Sequence, residues 1–546
     1  MTHLLLGPLL RHVGATDATV WVETDRPCEV EILGFRERTW TVSGHHYALL
    51  VIDGLPDGAG TPYQVTLDGE LVWPPPGSER PPSRIRTWSG HAAVEIAFGS
   101  CRYASAAALL PGHRFDADVL QGYAVRIAAT PQGEWPDALL MLGDQVYADE
   151  TSPQTRQRIR ERRDITSGAG DQVADFEEYT WLYAESWTDP DVRWLLSTVP
   201  TSMIFDDHDV RDDWNTSKAW RRDMWAKPWW AERIIGALSS YWVYQHLGNL
   251  SPAELAENTL FQDVRRLDGD AEPLLREFAR AADREADGVK VTRWSYRRDF
   301  GSVRLLVIDS RSGRILEADE RSMLSADEFD WVQAQLPGDY QHLLIGTSLP
   351  WLLPRALHDI EAWNEVLADG HRGRLVTGIS EKIRRAGDFE HWAAFRRSFE
   401  RLALMIRDVA RGDHAGPGGR APATVCVLSG DVHHAYVARP DYREELESAV
   451  YQLTCSPLHN RVPIPAQLAF RAAWSRLAEH STRVALGVIG KVPPPIVEWV
   501  RVAGPYFGND LMTLRLAGRS AELVLEQAGP AEANPKLTEI TRMTLS

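Results

Sequence analysis

The chain of 546 residues has a net charge of -17, with 44% hydrophobic and 25% charged residues. This composition is typical of a soluble globular protein, and the length predicts two to four domains. The negative charge excludes a protein that coats nucleic acids, which needs excess Lys and Arg, but allows a small phosphorylated substrate beside bound metal ions.

The N-terminal segment, MTHLLLGPLLRHVGATDATV, has neither the charged start and long apolar core of a secretory signal nor a twin-arginine pair. No apolar run reaches the roughly 18 residues of a membrane span. The four cysteines lie far apart without a CxxC motif, which argues against a disulfide framework and favours a reducing compartment. We therefore expect a cytoplasmic protein that does not associate with membranes.

Residues 1–90 have the pattern of β-strands. The segments ATVWVET, CEVEIL and RTWTVSG alternate apolar and polar residues, and turn-forming residues separate them. Asp68-Gly69 predicts the turn of a hairpin. We expect a small all-β sandwich of the fibronectin III kind over 1–90, with the Pro-rich segment 73–83 as a linker to a second domain over 91–546.

From residue 94 onward, continuous apolar runs alternate with helical patterns. Such runs are typical of strands that are buried on both faces, as in α/β proteins. The runs are VEIAFGS, DALLMLG, TSMIF, RLLVIDS, HLLIGTS and TVCVLSG. We therefore predict an α/β domain of layered sheets and helices.

Helix signals lie between these runs. Asp189-Pro190 opens one predicted helix, and Ser325 with Glu328 predicts a capping box before another. The 3.6-residue spacing of apolar residues predicts a long amphipathic helix over 388–410.

Polar residues follow four of the apolar runs. Strand ends of an open α/β sheet converge in space, so we expect the side chains that follow them to lie together. A thiol, a phenol, several carboxylates and imidazoles form a metal-ligand set rather than a Ser-His-Asp set. The four segments are Cys101-Arg102-Tyr103, Asp144-Gln145-Val146-Tyr147, Asp206-Asp207-His208-Asp209 and Asp431-Val432-His433-His434.

The donor types indicate which metals fit. Carboxylate and phenolate oxygens suit Fe³⁺, Ca²⁺, Mg²⁺ or Mn²⁺, while a thiolate and an imidazole favour a transition metal, so mixed ligands predict two unlike ions. Each motif alone has another explanation: Gly-Asp is common in turns, a lone cysteine often fills a core, and clustered aspartates often lie in solvent. Four such motifs in one chain favour the metal site.

The motifs also have a family resemblance. The order Ser-Cys-Arg, Gly-Asp-Gln-Val-Tyr, Asp-Asp-His-Asp and Gly-Asp-Val-His resembles the PhoD-like alkaline phosphatases, a branch of the calcineurin-like metallophosphoesterases. Ile308-Asp309-Ser310-Arg311 resembles a further segment of that family. The similarity covers roughly 90–460, and the N-terminal β-domain resembles the module that usually precedes the family's catalytic domain.

The resemblance implies metal-binding roles. The first three residues of the set below would bind a ferric ion, the fourth stands where the superfamily has a metal-binding Asn, and the last two belong to its final motif. Since the family pairs iron with calcium, we expect Ca²⁺ as the second metal, with Mn²⁺ or Mg²⁺ as alternatives. The implied metal residues are Cys101, Asp144, Tyr147, Asp207, Asp431 and His433.

The resemblance further implies a dinuclear metal-dependent hydrolase of phosphate esters. Two metal ions about 3.5–4 Å apart would bind the phosphoryl oxygens and generate the attacking hydroxide. His208 matches the invariant active-site histidine and would protonate the leaving group, with Asp209 holding its ring. Arg102 and Arg311 are candidates for substrate oxygens, although each is equally explained as a structural ion pair.

Some alternatives stay open. A non-catalytic metal-stabilised scaffold or a glycan-binding protein could use the same fold, but a scaffold needs no leaving-group acid such as His208. Monoester and diester substrates are both compatible with the motifs. The segment 214–233, with five tryptophans among basic residues, is either a lid over an aromatic leaving group or a helical packing surface between domains.

Overall fold

The computed structural model shows an all-β region followed by a larger α/β region. Its four cysteines are free and buried. None of the helices that it describes is long and apolar enough to cross a membrane. The described residues are 1–88, 93–104, 116–288, 290–317, 320–368, 373–416, 418–489, 494–531 and 535–546.

The N-terminal region is a β-sandwich, as predicted. One sheet has the order β1-β2-β6-β5, a second has the order β4-β3-β8-β9, and β10 pairs with β7. Side chains from both larger sheets form a common core, which includes Val20, Leu50, Val30 and Val65. The strands are β1 Leu4–Val13, β2 Ala18–Thr24, β3 Glu29–Ile32, β4 Phe35–Arg38, β5 Trp40–Val42, β6 His45–Ile52, β7 Gly60–Pro62, β8 Val65–Leu67, β9 Glu70–Trp73 and β10 Arg84–Arg86.

The predicted hairpin joins β8 to β9. Asp68 and Gly69 both have positive φ, at 50° and 86°, which is the conformation of a two-residue turn that matches the strand twist. The Pro-rich segment 73–83 is less independent than a linker, since the Pro81 carbonyl accepts a hydrogen bond from the Trp194 indole of the α/β region. The domain boundary near residue 90 stays a prediction.

All six apolar runs of the second region form strands. Their residues are almost fully buried, which explains why the runs lack polar alternation. The strands are β11 Val94–Gly99, β12 Ala138–Leu142, β13 Thr201–Ile204, β14 Tyr296–Phe300, β15 Val303–Ile308, β16 His342–Thr347, β17 Thr424–Ser429, β18 Ala435–Asp441, β19 Ala449–Thr454, β20 Glu498–Tyr506, β21 Asp510–Ala517, β22 Ser520–Ala528 and β23 Leu537–Thr544.

These strands form two sheets rather than one open sheet. The orders are β13-β12-β11-β21-β22-β23 and β14-β15-β16-β17-β19-β18-β20. The sheets pack face to face, because Gly346 of β16 lies against Leu140 and Leu142 of β12. Three of the polar motifs therefore follow strands of the first sheet, and the fourth follows β17 of the second. The four strand ends still converge, at the edge between the sheets.

Helices cover the outer faces of the two sheets. Among them, α1 and α4 pack on the first sheet, and α11 and α14 pack on the second. The helices are α1 Val119–Ala128, α2 Pro153–Arg162, α3 Phe176–Trp187, α4 Pro190–Thr198, α5 Lys218–Trp225, α6 Trp230–Tyr241, α7 Leu247–Asn249, α8 Pro252–Glu257, α9 Thr259–Arg266, α10 Glu272–Asp283, α11 Ala326–Gln335, α12 Arg355–Ala368, α13 Arg374–Ala386, α14 Arg396–Ala410, α15 Ile464–Ala473 and α16 Arg476–Ile489.

Two helix predictions need correction. The helix predicted over 388–410 begins only at Arg396, because a 3₁₀ turn at Trp392–Ala394 interrupts it while keeping apolar residues buried. The capping box at α11 is half formed: the Ser325 hydroxyl accepts the amide of Glu328, but the Glu328 carboxylate instead pairs with Lys290 and Arg293.

The tryptophan-rich segment 214–233 contributes mainly to packing. It contains α5 and the start of α6, and Trp214, Trp220 and Trp230 are buried in the large core. Only Trp225 among its five tryptophans is well exposed, at 45%. The geometry thus favours the packing interpretation over a lid.

Candidate metal centre

The loops after β11, β12 and β17 place four candidate ligands in an unusual backbone conformation. Cys101, Asp144, Asp431 and His433 all have positive φ, between 51° and 68°. Non-glycine residues rarely adopt this left-handed region, and such strain is concentrated at functional sites. Each of these strands therefore ends in a sharp turn, which directs the following side chains toward the other strand ends at the edge between the sheets.

Two glycines allow these loops to approach closely. A side chain at Gly143, which precedes Asp144, would lie 2.6 Å from Cβ of Asp206. A side chain at Gly430 would overlap the hydroxyl of Ser100, which accepts a hydrogen bond from the Asp431 amide at 3.1 Å. Absence of a Cβ at Gly143 thus lets the loops after β12 and β13 approach each other, and its absence at Gly430 brings the loops of the two sheets together.

The convergence produces three overlapping groups of candidate ligands. Within each group, one ligand atom per residue lies within 4.8 Å of the others. Asp144 belongs to all three groups. The groups are Cys101 with Asp144 and His433, Asp144 with Asp207 and His208, and Asp144 with Asp206, Asp207 and Asp431.

The donors in this cluster fit metal ions. Oδ1 of Asp144 and Oδ2 of Asp206 are buried without a hydrogen-bond partner among the described residues. Burial, reinforced by neighbouring negative charge, raises the pKa of Asp144 well above its usual range and raises the pKa of the Cys101 thiol to about 12. Carboxylates and a thiol at this spacing can all be ionised only beside a cation, so the set suits a metal site.

The structure also places Tyr147 beside the cluster. Burial and then the charges of Cys101 and Asp144 raise the pKa of its hydroxyl well above the usual value. That hydroxyl accepts a hydrogen bond of 3.1 Å from Asn460, and the ring lies 4.8 Å from that of His208. Its role as an iron ligand stays a prediction.

Asp431 is held by a histidine that the sequence reasoning missed. Nε2 of His391 lies 2.9 Å from Asp431, and its Nδ1 lies 2.8 Å from Glu361. Burial alone would raise the pKa of Asp431, but the hydrogen bond and charge of His391, together with the charge of Arg311, lower that pKa to about 2. Asp431 is therefore an oriented carboxylate, as a metal ligand should be.

His433 is prepared for metal binding by burial. Burial lowers the pKa of its imidazole to about 4, so the ring is neutral near pH 7 and has a free lone pair for a metal. Its amide donates to the hydroxyl of Ser456 at 3.2 Å, which fixes the turn after β17.

His208 is oriented by Asp149 and not by the predicted Asp209. Nδ1 of His208 lies 2.9 Å from Oδ1 of Asp149, whose other oxygen accepts the Asp212 amide at 2.7 Å. Burial would lower the pKa of His208, but the charge and hydrogen bond of Asp149, together with the charges of Asp207 and Asp144, raise that pKa well above its usual value. Asp209 instead accepts the backbone amides of Asp144 and Asp206, because its side chain turns toward the strand ends.

The two predicted substrate-binding arginines are both buried in ion pairs. Arg102 is 1% exposed and pairs with Asp118 at 2.7 Å. Arg311 is fully buried, binds Glu390 and Asp206, and lies 3.2 Å from Asp207. The geometry therefore favours the ion-pair alternative for both, with Arg311 also balancing the charge of the aspartates.

Chemically, the arrangement combines a cluster of anionic oxygens, a thiol and a partly exposed acid. The His208 side chain is 18% exposed at the rim, beside the carboxylates of Asp144 and Asp207. Such a cleft can bind cations and, through them, an anionic ester, while His208 can donate a proton.

Two family models match the chain. Residues 1–85 match a domain of unknown function (DUF7800), and residues 110–487, more than half of the chain, match the PhoD-like phosphatases. The chain belongs to the PhoD-like phosphatase family. As a PhoD-like phosphatase it is a metal-dependent phosphoester hydrolase, and the predicted family membership is confirmed.

Two solved structures are similar to the chain. A structure of PhoD is 12% identical, with a TM-score of 0.58 over 99% of this chain and 90% of its own length. The purple acid phosphatase PPD1 from seeds of yellow lupin (Lupinus luteus) is 11% identical, with a TM-score of 0.47, and the match covers 97% of this chain and 74% of that one. A search of curated proteins gives no match. The PhoD match confirms the predicted α/β fold behind a β-domain.

Several residues of this PhoD-like site were not among the site residues predicted from the sequence. Asp206 belongs to the recognised acidic motif, and Asp149 lies two residues after Tyr147, so adjacency to the motifs could have suggested both. His391 and Glu361 lie outside every motif, and only the folded chain brings them to Asp431.

Proposed function

We propose that this PhoD-like phosphatase is a dinuclear metal-dependent hydrolase of phosphate esters that holds Fe³⁺ and Ca²⁺. The observation that carries the proposal is the shared position of Asp144, which lies in a sulfur- and nitrogen-containing group and in an all-oxygen group. A site with sulfur and nitrogen donors and a site with only oxygen donors that share one carboxylate fit two unlike metals. Mn²⁺ or Mg²⁺ in the site with only oxygen donors would be compatible with the same oxygens.

Each site follows from its donors. Cys101 and His433, with Tyr147 nearby, would hold iron, since a thiol and an imidazole suit a transition metal. Asp207 and Asp431, together with Asp206, would hold the calcium ion. Bound there, the metals would supply Lewis acidity toward the phosphoryl group and activate water.

Other residues of the protein would position the proton for the leaving group and balance the negative charge of the aspartates. Asp149 holds His208 with one ring nitrogen occupied, which leaves the other for the leaving oxygen. The raised pKa of His208 keeps a proton available for that oxygen. Arg311 balances the aspartates from the buried side, and His391 orients Asp431. We also propose that the enzyme acts in the cytoplasm, which its four free cysteines support.

Metal analysis of the purified protein tests the proposal. We expect iron and calcium, a visible charge-transfer colour from the thiolate or phenolate, and hydrolysis of p-nitrophenyl phosphate or bis-p-nitrophenyl phosphate. The two substrates separate a monoesterase from a diesterase. Chelation of the metals should abolish hydrolysis, and the added metals should restore it.

Cysteine variants make this test specific. Cys101→Ser should lose iron and colour, because a neutral serine hydroxyl replaces a thiolate, which is the form of cysteine that binds metals. Cys426→Ser is the matched control: Cys426 is also fully buried, burial also raises its pKa to about 12, and it lies in β17 outside the ligand groups. An active enzyme that is colourless and free of iron would refute the iron assignment, as would equal loss of iron in both variants.

A further inference from the structure

A buried turn of π-helix lies behind the metal centre. Residues Trp242–His246 form this turn between α6 and α7, and all five are buried. π-Helical turns are rare and are frequently found at functional sites. Within the turn, Gln245 is fully buried, and its amide Nε2 donates to Oδ1 of Asp209 at 3.1 Å and to the Tyr183 hydroxyl at 3.0 Å.

Asp209 connects this glutamine to the ligand loops. While Oδ1 of Asp209 receives Gln245, its Oδ2 accepts the backbone amide of Asp144 at 2.9 Å and that of Asp206 at 2.9 Å. These two amides begin the loops after β12 and β13. One carboxylate therefore fixes the separation of two loops whose side chains converge on the same candidate ions, and Gln245 fixes the carboxylate.

The N-terminal β-domain holds the other side of the π-turn. Arg11 of β1 donates from Nη1 to the Tyr244 carbonyl at 2.9 Å and from Nη2 to the Gln245 carbonyl at 2.7 Å. A side chain at Gly248 would overlap the Arg11 guanidinium, so α7 is shaped to receive it. Arg11 lies more than 230 residues before these carbonyls in sequence, so the contact joins two distant parts of the chain.

Two further contacts reinforce this connection. The Tyr47 hydroxyl of β6 lies 3.0 Å from that of Tyr244, and Tyr244 stacks on Tyr183 at 4.1 Å. In α7, the Asn249 side chain both accepts from and donates to the backbone of Met203, at 2.9 and 2.7 Å. Met203 belongs to β13. The π-turn and α7 therefore hold both β13 and the loop that follows β13.

We propose that the N-terminal β-domain is a positioning element of the metal centre. Arg11 fixes the π-turn, the π-turn fixes Gln245, and Gln245 acts through Asp209 on the spacing of Asp144 and Asp206. Arg11 and Gln245 are positioning residues that touch neither metal nor substrate. This inference rests on the proposed metal-dependent function and gives the β-domain a part in it.

Gln245→Met tests the inner half of this connection in the full-length protein. Methionine keeps the side-chain length but removes the amide that orients Asp209, so the ligand loops lose their fixed spacing. We expect the affinity of metal-free protein for Mn²⁺ and for Ca²⁺, measured by chelator competition, to fall about 10–100-fold. Gln262→Met is the matched control. The Gln262 amide also donates to a backbone carbonyl, that of Leu255, but Gln262 is distant in sequence from the ligand loops and makes no hydrogen bond to them among the described residues.

Arg11→Met tests the outer half. Its matched control is Arg193→Met, since Arg193 also spans the two regions by donating to backbone carbonyls, at Gly7 and Leu4. Burial lowers the pKa of both arginines to about 10, so the two changes remove similar groups. We expect both variants to lower the thermal midpoint, but only Arg11→Met to weaken metal binding.

The outcomes separate the two proposals. If the unaltered protein binds neither ion, the proposed function fails. If the unaltered protein binds metal and hydrolyses esters while Gln245→Met and Arg11→Met bind metal equally well, only the positioning role is overturned. Should Arg11→Met fail to fold, Tyr47→Phe decides instead, because it removes the β-domain hydroxyl that lies 3.0 Å from that of Tyr244; metal binding as tight as that of the unaltered protein would then overturn the role of the β-domain. Combined in one chain, the two changes should weaken binding by less than the product of their separate effects, because they act on one connection.

Discussion

Asp207 and His208 are neighbours in the chain, but their side chains have different surroundings. The Asp207 carboxylate lies among those of Asp144, Asp206 and Asp431 and accepts the Asp213 amide at 3.0 Å. His208 instead lies at the rim, with one nitrogen on Asp149. Substitutions of the two should therefore fail in different ways.

His208→Gln should keep both metals and lose rate, because the imidazole is placed to protonate the leaving oxygen. Loss of a general acid typically costs about 10²–10⁴-fold. The loss should be smaller for p-nitrophenyl phosphate, whose leaving group needs little protonation, than for an alkyl phosphate. Asp207→Ala should instead lose metal and recover partly in excess Ca²⁺ or Mn²⁺. Steady-state rates on both substrates, with metal content, check this prediction.

His342→Gln is a suitable control for the histidine variant. Both ring nitrogens of His342 are hydrogen-bonded, to Thr424 and to the Gly518 carbonyl, and burial lowers its pKa. It should affect stability and leave the leaving-group dependence unchanged. Equal rate losses of His208→Gln on both substrates, with metals retained, would leave His208 a positioning residue.

At the level of elements, the sequence predicted strands well and contacts between distant segments poorly. Continuous apolar runs marked all six central strands because each is buried on both faces. The helix over 388–410 was overextended, because a 3₁₀ turn keeps the same apolar spacing. Partition into two sheets was not predicted, since strand pairing depends on non-local contacts.

The candidate site shows the same division. Residues within the four motifs converge as expected, because strand ends meet at one edge. The partners that orient them were missed: Asp149 lies 59 residues from His208, and His391 lies 40 residues from Asp431. No local periodicity or turn signal marks such a pair.

A histidine between the β-domain and the α/β region should make the stability of the protein depend on pH. His45 of β6 lies 3.2 Å from Glu23 of β2 and 2.7 Å from Glu177 of α3, so it joins the β-domain to the α/β region. Burial would lower the pKa of His45, but hydrogen bonds with Glu177 and Glu23 outweigh it and raise that pKa to about 9.

Because the pKa of His45 is higher in the folded state than in the unfolded state, protonation of His45 stabilises the folded protein. This stabilisation is complete below the unfolded value of about 6.5 and is lost as the pH rises through about 9. His45→Gln should therefore lower the free energy of unfolding at pH 6 by about 1–3 kcal/mol, after allowance for solvent screening, and much less above pH 9. Denaturant unfolding at several pH values measures it.

His46→Gln is the matched control on the same strand. Nδ1 of His46 lies 2.9 Å from the Thr41 hydroxyl, and burial lowers its pKa, so its pH dependence should have the opposite sign. A difference between His45→Gln and the unaltered protein that stays constant from pH 6 to pH 10 would contradict the assigned pKa.

On the scale of the whole molecule, the two regions share one core. Trp21 and Tyr47 of the β-domain pack within 5.5 Å of the Tyr244 ring, and Trp40 lies 6.1 Å from Trp242. All five side chains are buried in the largest apolar cluster, which also contains both central sheets. The β-domain sandwich has its own smaller core between its two larger sheets.

This shared core predicts that the two regions unfold together. Separation would expose a buried aromatic interface and the carbonyls that Arg11 binds, and exposed apolar surface of this kind lowers solubility. We expect one heat-absorption peak in calorimetry, and similar slow amide exchange in β2, β6 and β12. Two separate peaks, or a soluble fragment 89–546 that binds metal as tightly as the full chain, would contradict the prediction.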